Sequence, residues 1–593
     1  MKNFLLDADC EIRFTDQNRE NDSISLQRVW EADCCKSRLV NEGKVAAHIA
    51  EIVLFKGKLP FPAQTNIYGE GYSKLSQYKG TLAEPKLISC VSDRDHYRLP
   101  VKNGFFTVYN LLAFLPENKE HALIAFSSCR HYVGEIRFSA TEYEVVVDFE
   151  GLPIYAGEEI ELEDVSFITG GPLQELFPVL AKRLRENHPM VDYKQPIPTG
   201  WCSWYSFGAD LTEEDVIRNL TAIKEKCPGM KYIQIDEGYA AHEGDWLLPG
   251  KTFPSGVKEM CLKIKEMGFE PAMWVGPFIA EIDSQVFREH PEWFVKDETG
   301  APVTADKYTF GGWYHGPWYM LDGTHPGAQD YLRHVFRTMH EEWGVNYFKM
   351  DGTMWGALPF GKRYDSSVTR VDAYRMGMKA IREGAGEDSY LLGCNAPMWP
   401  SLGTVNAMRL SDDISRSWYM IEKASEEMCW RGWQHQNLWI GDPDCLLLQN
   451  VERDLVGPDG TIHHQTDGSV TSDEYRFLAT TVIASGGVVI SGDDFTLITE
   501  ENAAVINKCI NGAHKAAEFD DLTFSVGRIQ LEDKLLITVF NRQDTERDFS
   551  ISLDENYSVR DFFSGELIDP QTSVIELKAF RPHLGQVFEC TRN

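Results

Sequence analysis

The sequence contains no long apolar run. No stretch of about eighteen consecutive apolar residues occurs anywhere in its 593 residues, which excludes a transmembrane helix of ordinary length. Residues 1–9, MKNFLLDAD, contain neither a sustained apolar region nor a cleavage site of the kind that marks a secreted chain. We therefore expect a soluble, cytoplasmic protein with no membrane partner.

Metal-binding and disulfide patterns are also missing. The 13 cysteines are odd in number, scattered, and form no CxxC repeat, so we expect reduced thiols that pack as small apolar side chains. The 16 histidines are dispersed, and no HExxH or comparable ligand spacing occurs. The sequence therefore predicts no metal site and no cofactor.

Basic residues are in the minority. Lys and Arg number 58 against 90 Asp and Glu, which gives a formal net charge of −32. Such a charge repels nucleic acid and acidic membrane surfaces, so a neutral partner is favoured. The 15 Trp, 23 Tyr and 32 Phe are an unusually large aromatic set. Most must form the core, but some would suit a carbohydrate site, where rings stack on sugar C–H surfaces.

The length implies about two to four domains. Short β-branched and aromatic runs alternate with turns over residues 1–188, for example at 142–149, and predict an N-terminal β-sandwich. A predicted helix at 173–187 and a proline-rich link at 189–198 mark its end. Residues 506–593 return to alternating β-runs and predict a small C-terminal antiparallel β-sandwich.

Strand-like and helix-like segments alternate over residues 189–505, at the rhythm of a central (β/α)8 TIM barrel. The predicted chain is thus a multidomain α/β protein with a barrel flanked by two β-domains. Helix signals between the strands include the capping-box pattern at 211–216 and the amphipathic stretch 330–343. Eight barrel strands are predicted, at 200–207, 232–239, 270–278, 346–352, 390–396, 406–413, 437–444 and 487–494.

Polar and aromatic side chains collect where these strands end, which is the edge of a barrel that carries the active site. Helix caps explain single aspartates at such positions, but not their mixture with Trp, Lys and Arg. The strand ends supply Trp204, Asp236, Glu237, Trp274, Lys349, Asp351, Asn395, Arg409, Asp413, Asp442, Asp444, Asp493 and Asp494.

Two of these ends place a carboxylate beside a cation. The run YFKMDG at 347–352 delivers Asp351 two residues after Lys349, and the run MRLSDDI at 408–414 places Arg409 four residues before Asp413. Two carboxylates on separate strand ends are what cleavage of a glycosidic bond requires, at about 5–5.5 Å apart in a retaining enzyme. Asp351 is the candidate nucleophile.

The same strand ends resemble those of the α-galactosidases of glycoside hydrolase clan D, family 36 (melibiases) more than family 27. GWCSW at 200–204 is similar to the first-strand segment, especially of the raffinose synthase-like branch, and IDEGY at 235–239 is similar to the second-strand "DDGW" element. FKMDG at 348–352 and RLSDDI at 409–414 match the nucleophile and acid/base strands, while HPEWF at 290–294 and LDGTHP at 321–326 resemble connecting elements.

The resemblance implies a retaining α-galactosidase that acts on small neutral oligosaccharides, with Asp351 as nucleophile and Asp413 as acid/base. It also implies sugar-binding roles: Asp236 and Glu237 for the axial O4 and for O6, Lys349 and Arg409 for O3 and O2, and Trp204 and Trp274 as walls. Cys394 and Asn395 fall near the 2-substituent, with a sequence that differs from the usual one. Relatives often assemble through the N-terminal domain, so a homo-oligomer is one expectation.

Several alternatives stay open at this stage. Asp412 is adjacent to Asp413 and could be the acid/base, although the Arg-x-x-x-Asp spacing favours Asp413. Glu237 stands where the family usually has Asp, and the segment 394–397 near the 2-substituent is not the usual one, so a β-L-arabinopyranoside, which lacks C6, or an α-N-acetylgalactosaminide could be the substrate. The acceptor could be another sugar, as in raffinose synthase, and the barrel could be a sugar-binding protein without activity.

Overall fold

Residues 3–16, 23–117, 119–456, 462–467 and 470–592 are described by a computed structural model of the chain. Apart from the strands Val451–Val456 and Ile462–Asp467, which form a hairpin, these residues divide into three sheets, a two-stranded hairpin and the helices around them. In this part of the chain, no helix has the length and apolar character needed to cross a membrane.

The N-terminal sheet is antiparallel and curls into a barrel-like sandwich around an apolar core. Two of its central strands, Phe106–Leu115 and Val133–Phe138, are buried along all or most of their length. Its strands are Asp9–Phe14, Ile24–Glu31, Cys34–Asn41, Ala47–Lys58, Asn66–Glu70, Gln77–Gly80, Pro85–Leu87, Phe106–Leu115, His121–Phe126, Val133–Phe138, Glu142–Asp148, Pro153–Ile154, Glu159–Glu161 and Val165–Gly170.

The middle sheet is a parallel barrel. Its eight described strands are Thr199–Cys202, Tyr232–Ile235, Glu270–Val275, Tyr347–Met350, Tyr390–Gly393, Ala407–Arg409, Ile440–Asp442 and Val489–Ser491, numbered first to eighth below. The eighth strand pairs with the first and meets the seventh through the bond from Val488 N to Gly441 O, 3.0 Å long, which closes the barrel. Each predicted strand is present, although each is shorter than predicted.

The described helices are Asp93–Tyr97, Leu173–Asn187, Trp204–Phe207, Glu213–Lys226, Val257–Glu266, Gln285–Glu289, Pro326–Arg337, Arg370–Ala385, Trp418–Arg431, Ser472–Ser485 and Glu500–Ile510. The helix predicted at 173–187 and the capping box at Thr212 and Asp215 are confirmed. The helix predicted at 330–343 instead begins at Pro326, where the side chain of His325 caps the first turn, and ends in a π-helical turn, Thr338–Glu342.

Two predictions about the barrel are wrong in detail. Residues 204–207 form a short helix rather than the end of the first strand, because the chain turns immediately after Cys202. Between the fifth and sixth strands the described chain has only the 3-10 turn Trp399–Ser401, so this unit lacks the α-helix of a regular (β/α)8 barrel. The N-terminal sheet lies there instead: Trp399 Nε1 donates to Phe126 O at 2.8 Å.

The C-terminal strands form one hydrogen-bonded antiparallel sheet with its own apolar cluster. The strands are Glu518–Phe519, Val526–Gln530, Lys534–Phe540, Arg547–Asp561, Leu567–Phe580 and Gly585–Arg592. A hairpin of Ile279–Ala280 and Tyr319–Met320 projects from the barrel after its third strand. All 13 cysteines are free thiols, as predicted.

A buried ion pair joins the N-terminal sheet to the barrel. Arg431, at the end of a barrel helix, donates to Glu70 Oε2 at 2.7 Å, and both side chains are fully buried. Arg431→Met should lower the free energy of unfolding by about 3–5 kcal/mol, because it leaves the Glu70 carboxylate buried without its partner. Thermal unfolding would measure the loss. Arg528→Met, which breaks an exposed pair with Asp520, is the matched control and should cost about 0–1 kcal/mol.

Candidate active site

Asp351 lies directly after the fourth barrel strand, and three donors hold its carboxylate. Oδ1 accepts from Gly352 N at 2.7 Å and from Asn395 Nδ2 at 2.8 Å, while Oδ2 accepts from Trp274 Nε1 at 3.2 Å. Gly352 has the left-handed φ of 59°, which glycine adopts without strain, so the chain turns sharply behind the carboxylate. These donors fix the direction of the carboxylate, as the role of a nucleophile requires.

Asp236 and Lys349 form a buried ion pair beside the nucleophile. Lys349 Nζ donates to Asp236 Oδ2 at 3.0 Å, and Gln234 Nε2 donates to the same oxygen at 2.6 Å. Burial acts to lower the pKa of Lys349, but Asp236 and neighbouring groups raise it well above its ordinary value. Lys349 therefore stays charged, with Asp236 rather than Asp351 as its direct partner. Both side chains present polar atoms suited to sugar hydroxyls.

Glu237 is held by a tryptophan that the sequence analysis did not identify. Trp313 Nε1, from the loop between the third and fourth strands, donates to Glu237 Oε2 at 2.7 Å. Glu237 Oε1 and Glu243 Oε2 are both buried, and among the described residues neither oxygen accepts from an N–H group or a hydroxyl. Burial, followed by the charge of Glu243, raises the pKa of Glu237 well above its ordinary value.

The second acid of this pair behaves similarly. Burial and the carboxylate of Glu281 raise the pKa of Glu243 to about 8, while a hydrogen bond with Glu237 acts to lower it. Two buried carboxyl groups in contact share a proton more readily than they carry two charges. Burial and the neighbouring carboxylates thus favour a proton shared between Glu237 and Glu243 over two negative charges.

Asp413 lies beyond the sixth strand, on the opposite side of the barrel mouth from Glu237. Its Oδ1 accepts from Arg409 NH2 at 3.1 Å and from Lys74 Nζ at 2.9 Å. The Asp413 side chain is 57% exposed, so it faces the open mouth. Desolvation acts to raise its pKa, but Lys74 and Arg409 outweigh it and bring the pKa below its ordinary value.

The loop that carries Asp413 is fixed by Asp444, which follows the seventh strand. Asp444 Oδ2 accepts from Arg409, from the Tyr205 hydroxyl and, at 2.8 Å, from Ile414 N. Asp444 has a left-handed backbone φ of 74°. Asp444 therefore joins the arginine of the sixth strand to the backbone that immediately follows Asp413.

Asp412 occupies a different environment from its neighbour. It is only 8% exposed, and its Oδ1 accepts from Asp413 N at 2.8 Å. Its own backbone N–H donates to Glu427 Oε2 at 2.6 Å. Burial first, and then Asp412, raises the pKa of Glu427 to about 7. Asp412 thus shapes the loop, whereas Asp413 reaches the mouth.

The remaining predicted site residues lie in the same region. Cys394 is buried, and the guanidinium of Arg409 contacts its sulfur at 3.9 Å; burial and then Asp351 raise the thiol pKa. Trp204 is half-buried at the start of its short helix, and its ring meets that of Tyr314 edge-on at 6.0 Å. The stacking roles of Trp204 and Trp274 stay predictions, since the indole N–H of Trp274 is engaged by Asp351.

Three residues of the site escaped sequence reasoning: Lys74, Glu243 and Trp313. Lys74 lies in the N-terminal sheet, 339 residues before its partner Asp413, and no local pattern reports such a contact. Trp313 and Glu243 lie on loops beyond the strand ends. The sequence does contain one indication of Trp313, the run Gly311-Gly312-Trp313, since two glycines beside a tryptophan favour a turn that exposes the ring.

Residues 180–379 match the family model described as Melibiase. The myogenesis-regulating glycosidase of Mus musculus is 26% identical over 169 residues, which are 28% of this chain and 22% of the relative. The A type blood alpha-D-galactosamine galactosaminidase of Flavonifractor plautii is 31% identical over 159 residues, 26% of this chain and 14% of the relative. The chain therefore matches less than a quarter of the length of these curated relatives.

A solved structure shares the fold over most of the chain. The family 36 α-galactosidase of Geobacillus stearothermophilus superposes with a TM-score of 0.64 and 12% identity, covering 96% of this chain and 81% of the other. The resemblance that the strand-end motifs predicted is confirmed at the level of the family. The match covers the first four barrel strands, including the candidate nucleophile.

Proposed function

We propose, from the premise that this chain belongs with the melibiases of family 36, that it is a retaining α-galactosidase of small oligosaccharides. The observation that carries the proposal is the arrangement around Asp351 and Asp413. One carboxylate is fixed by three N–H donors at the end of the fourth strand, and the other faces the open mouth from the sixth. The pair fits the two roles of a double-displacement mechanism.

In the first step, a carboxylate oxygen of Asp351 attacks the anomeric carbon while Asp413 gives its proton to the departing glycosidic oxygen. The bond from carbon to that oxygen breaks, and a β-linked galactosyl ester of Asp351 forms. In the second step, Asp413 takes a proton from water, whose oxygen attacks the anomeric carbon from the face that the leaving group vacated. The ester breaks, and α-galactose is released with Asp351 restored.

Sugar recognition belongs, in this proposal, to the ion pair of Asp236 and Lys349 and to the proton-sharing pair of Glu237 and Glu243. A site whose buried polar groups bind a particular hydroxyl discriminates against analogues without it, because those groups are then left unpaired. Asp236 and Lys349 are buried and bound to each other, which fixes their direction. We expect an axial O4 to be required, and α-glucosides to be poorer substrates by about 10⁴-fold or more.

The direct test is a panel of nitrophenyl glycosides with the wild-type protein and Asp351→Ala. The panel contains α-galactoside, α-glucoside, α-N-acetylgalactosaminide and β-L-arabinopyranoside. The proposal would be supported if the wild type hydrolyses the α-galactoside and Asp351→Ala does not. Equal release from the α-glucoside, or activity that survives in Asp351→Ala, would contradict it. The ratio of free galactose to transferred galactose at high sugar concentration separates hydrolysis from transglycosylation.

A second substrate, the β-L-arabinopyranoside, is favoured by one observation. Glu237 is one methylene longer than the aspartate expected there, and Trp313 holds its carboxyl group on the side of the site assigned to O6. Less space would remain for the hydroxymethyl group of galactose. A pentopyranoside with the same ring configuration lacks that group and would fit.

Glu237→Asp should therefore shift selectivity toward the six-carbon sugar. Shortening the side chain frees space equal to one methylene, and such a difference is worth about 10–200-fold in selectivity. The measurement is the ratio of kcat/KM for the α-galactoside to that for the β-L-arabinopyranoside. Glu292→Asp is the control, because the side chain of Glu292 is 50% exposed, and it should leave the ratio unchanged. An unchanged ratio in Glu237→Asp would remove Glu237 from the recognition of C6.

A further inference from the structure

A loop of the N-terminal sheet enters the barrel mouth. The loop, residues 71–76, connects the antiparallel strands Asn66–Glu70 and Gln77–Gly80, and Lys74 lies at its tip. The Lys74 ammonium group donates to Asp413 Oδ1 at 2.9 Å. Lys74 is 1% exposed although its partner is 57% exposed, so the lysine approaches the carboxylate from inside the protein.

The loop is rigidly attached at its base. Asp93 Oδ2 accepts from Tyr72 N at 2.7 Å and from Ser73 N at 3.0 Å. Arg431 NH1 donates to the carbonyl oxygen of Lys74 itself at 2.8 Å, and the same guanidinium is paired with the buried Glu70. These bonds fix the backbone of Lys74 with respect to the helix that follows the sixth barrel strand.

The same loop also binds the chain that follows the fifth strand. Met398 N donates to Tyr72 O at 2.8 Å, and Ser73 forms a β-bridge with Pro397. These residues come just after Asn395, which donates to the nucleophile. The loop thus contacts the segments that carry both sides of the site. These contacts lie in the unit of the barrel that has no described α-helix between its fifth and sixth strands.

The charges around Asp413 come from several elements. Lys74 reaches it from the N-terminal loop, Arg409 from the sixth strand and Lys349, more remotely, from the fourth. Asp412 adjoins it in sequence, and Tyr205, Asp444 and His96 lie nearby. Burial and then Lys74 lower the pKa of His96 to about 4, so this imidazole is neutral at neutral pH. Lys74 is the cation contributed from outside the barrel.

We propose that Lys74 is a positioning residue that the N-terminal sheet supplies to the acid/base. Lys74 and Arg409 both bind Oδ1 of Asp413, which directs the carboxyl group and leaves Oδ2 to carry the proton that goes to the glycosidic oxygen. The ammonium charge also sets the pH range in which Asp413 is protonated. This inference rests on the proposed function, in which Asp413 is the acid of the first step.

The test is the pH profile of kcat/KM for Lys74→Met, with an α-galactosyl disaccharide as the substrate that needs the acid. Asp413 acts in its protonated form, so activity falls as the pH rises through its pKa. Lys74⁺ lowers that pKa, and its removal should move the alkaline limb upward by about 1 to 3 pH units. Lys74→Arg keeps the charge and should keep the limb within a few tenths of a unit of the wild type.

A dinitrophenyl α-galactoside provides the internal control, because its leaving group departs without a proton. Both Lys74→Met and the wild type should hydrolyse it without this alkaline limb and at rates within about 10-fold of each other. Damage to the fold would instead lower kcat/KM for both substrates at every pH. Lys74→Gln, of similar length and uncharged, repeats the measurement should Lys74→Met fail to fold.

Three outcomes are distinguishable. A displaced alkaline limb in the uncharged variants, restored by Lys74→Arg, supports the role of Lys74. An unchanged limb in folded Lys74→Met, while Asp413→Ala still impairs only the disaccharide, overturns that role and leaves the proposed function intact. A wild-type protein without activity on any α-galactoside overturns the proposed function, and the role of Lys74 falls with it.

Discussion

Asp351→Ala is expected to lower kcat/KM for every substrate by at least about 10⁴-fold, whatever the leaving group, because it removes the atom that bonds to the sugar. Three N–H donors converge on this carboxylate, so the variant also loses the feature around which the site is organised. The measurement is steady-state hydrolysis of the nitrophenyl α-galactoside. The fold should persist, since Asp351 lies at a strand end and forms no ion pair among the described residues.

Azide should partly restore turnover of the activated substrate by Asp351→Ala. It would attack from the face where the carboxylate stood, and the product would be the inverted β-galactosyl azide. The control is Asp388→Ala, since Asp388 is 80% exposed and precedes the fifth strand at the opposite end of the barrel. That variant should keep wild-type rates. Retention of more than a few per cent of activity by Asp351→Ala would move the nucleophile elsewhere.

The barrel was predictable because parallel strands deliver their carboxyl ends to one edge. Apolar interiors followed by Asp, Lys, Arg or Trp mark those ends in the sequence, and the structure brings Lys349 and Asp236, from two such ends, into hydrogen-bond contact. The residues at which each strand begins and ends were less predictable. Trp204 continues an apolar run, and only the turn after Cys202 makes residues 204–207 helical.

The rest of the site depends on contacts between distant parts of the chain. Lys74 appears in sequence as an ordinary lysine in a polar turn, and its burial follows from the docking of one sheet on another. The ion pair of Glu70 and Arg431, which are 361 residues apart in the sequence, forms at the same contact between the N-terminal sheet and the barrel. The N-terminal sheet lies beside Trp399, in the unit of the barrel that has no α-helix among the described residues.

The charge pattern explains why two adjacent aspartates have different roles. Asp412 is buried, its side chain accepts a backbone N–H, and burial raises its pKa. Asp413 has two cations on one oxygen and remains exposed to the mouth. A general acid must both reach the leaving group and exchange protons with solvent. Exposure therefore favours Asp413, while its cations keep the carboxylate ready to act as the base of the second step.

Asp413→Ala is expected to separate substrates by their leaving groups. Hydrolysis of a disaccharide should fall by about 10²–10⁴-fold, because its leaving oxygen needs a proton. The first step with a dinitrophenyl α-galactoside should stay within about 10-fold of the wild type, since that oxygen leaves as a stable anion. A rapid burst of dinitrophenol, followed by slow turnover, would show that the galactosyl ester forms normally and that its hydrolysis has lost the base.

Azide distinguishes this variant from Asp351→Ala through the configuration of the product. In Asp413→Ala the ester still forms on one face of the sugar, so azide attacks the other face and gives the retained α-galactosyl azide. Asp412→Ala is the matched comparison, because its carboxyl group is one residue away but buried. It should impair both substrates to the same degree by loosening the loop. If Asp412→Ala loses activity on the disaccharide alone and Asp413→Ala does not, Asp412 is the acid/base instead of Asp413. The proposed role of Lys74, which binds Asp413, would then be overturned.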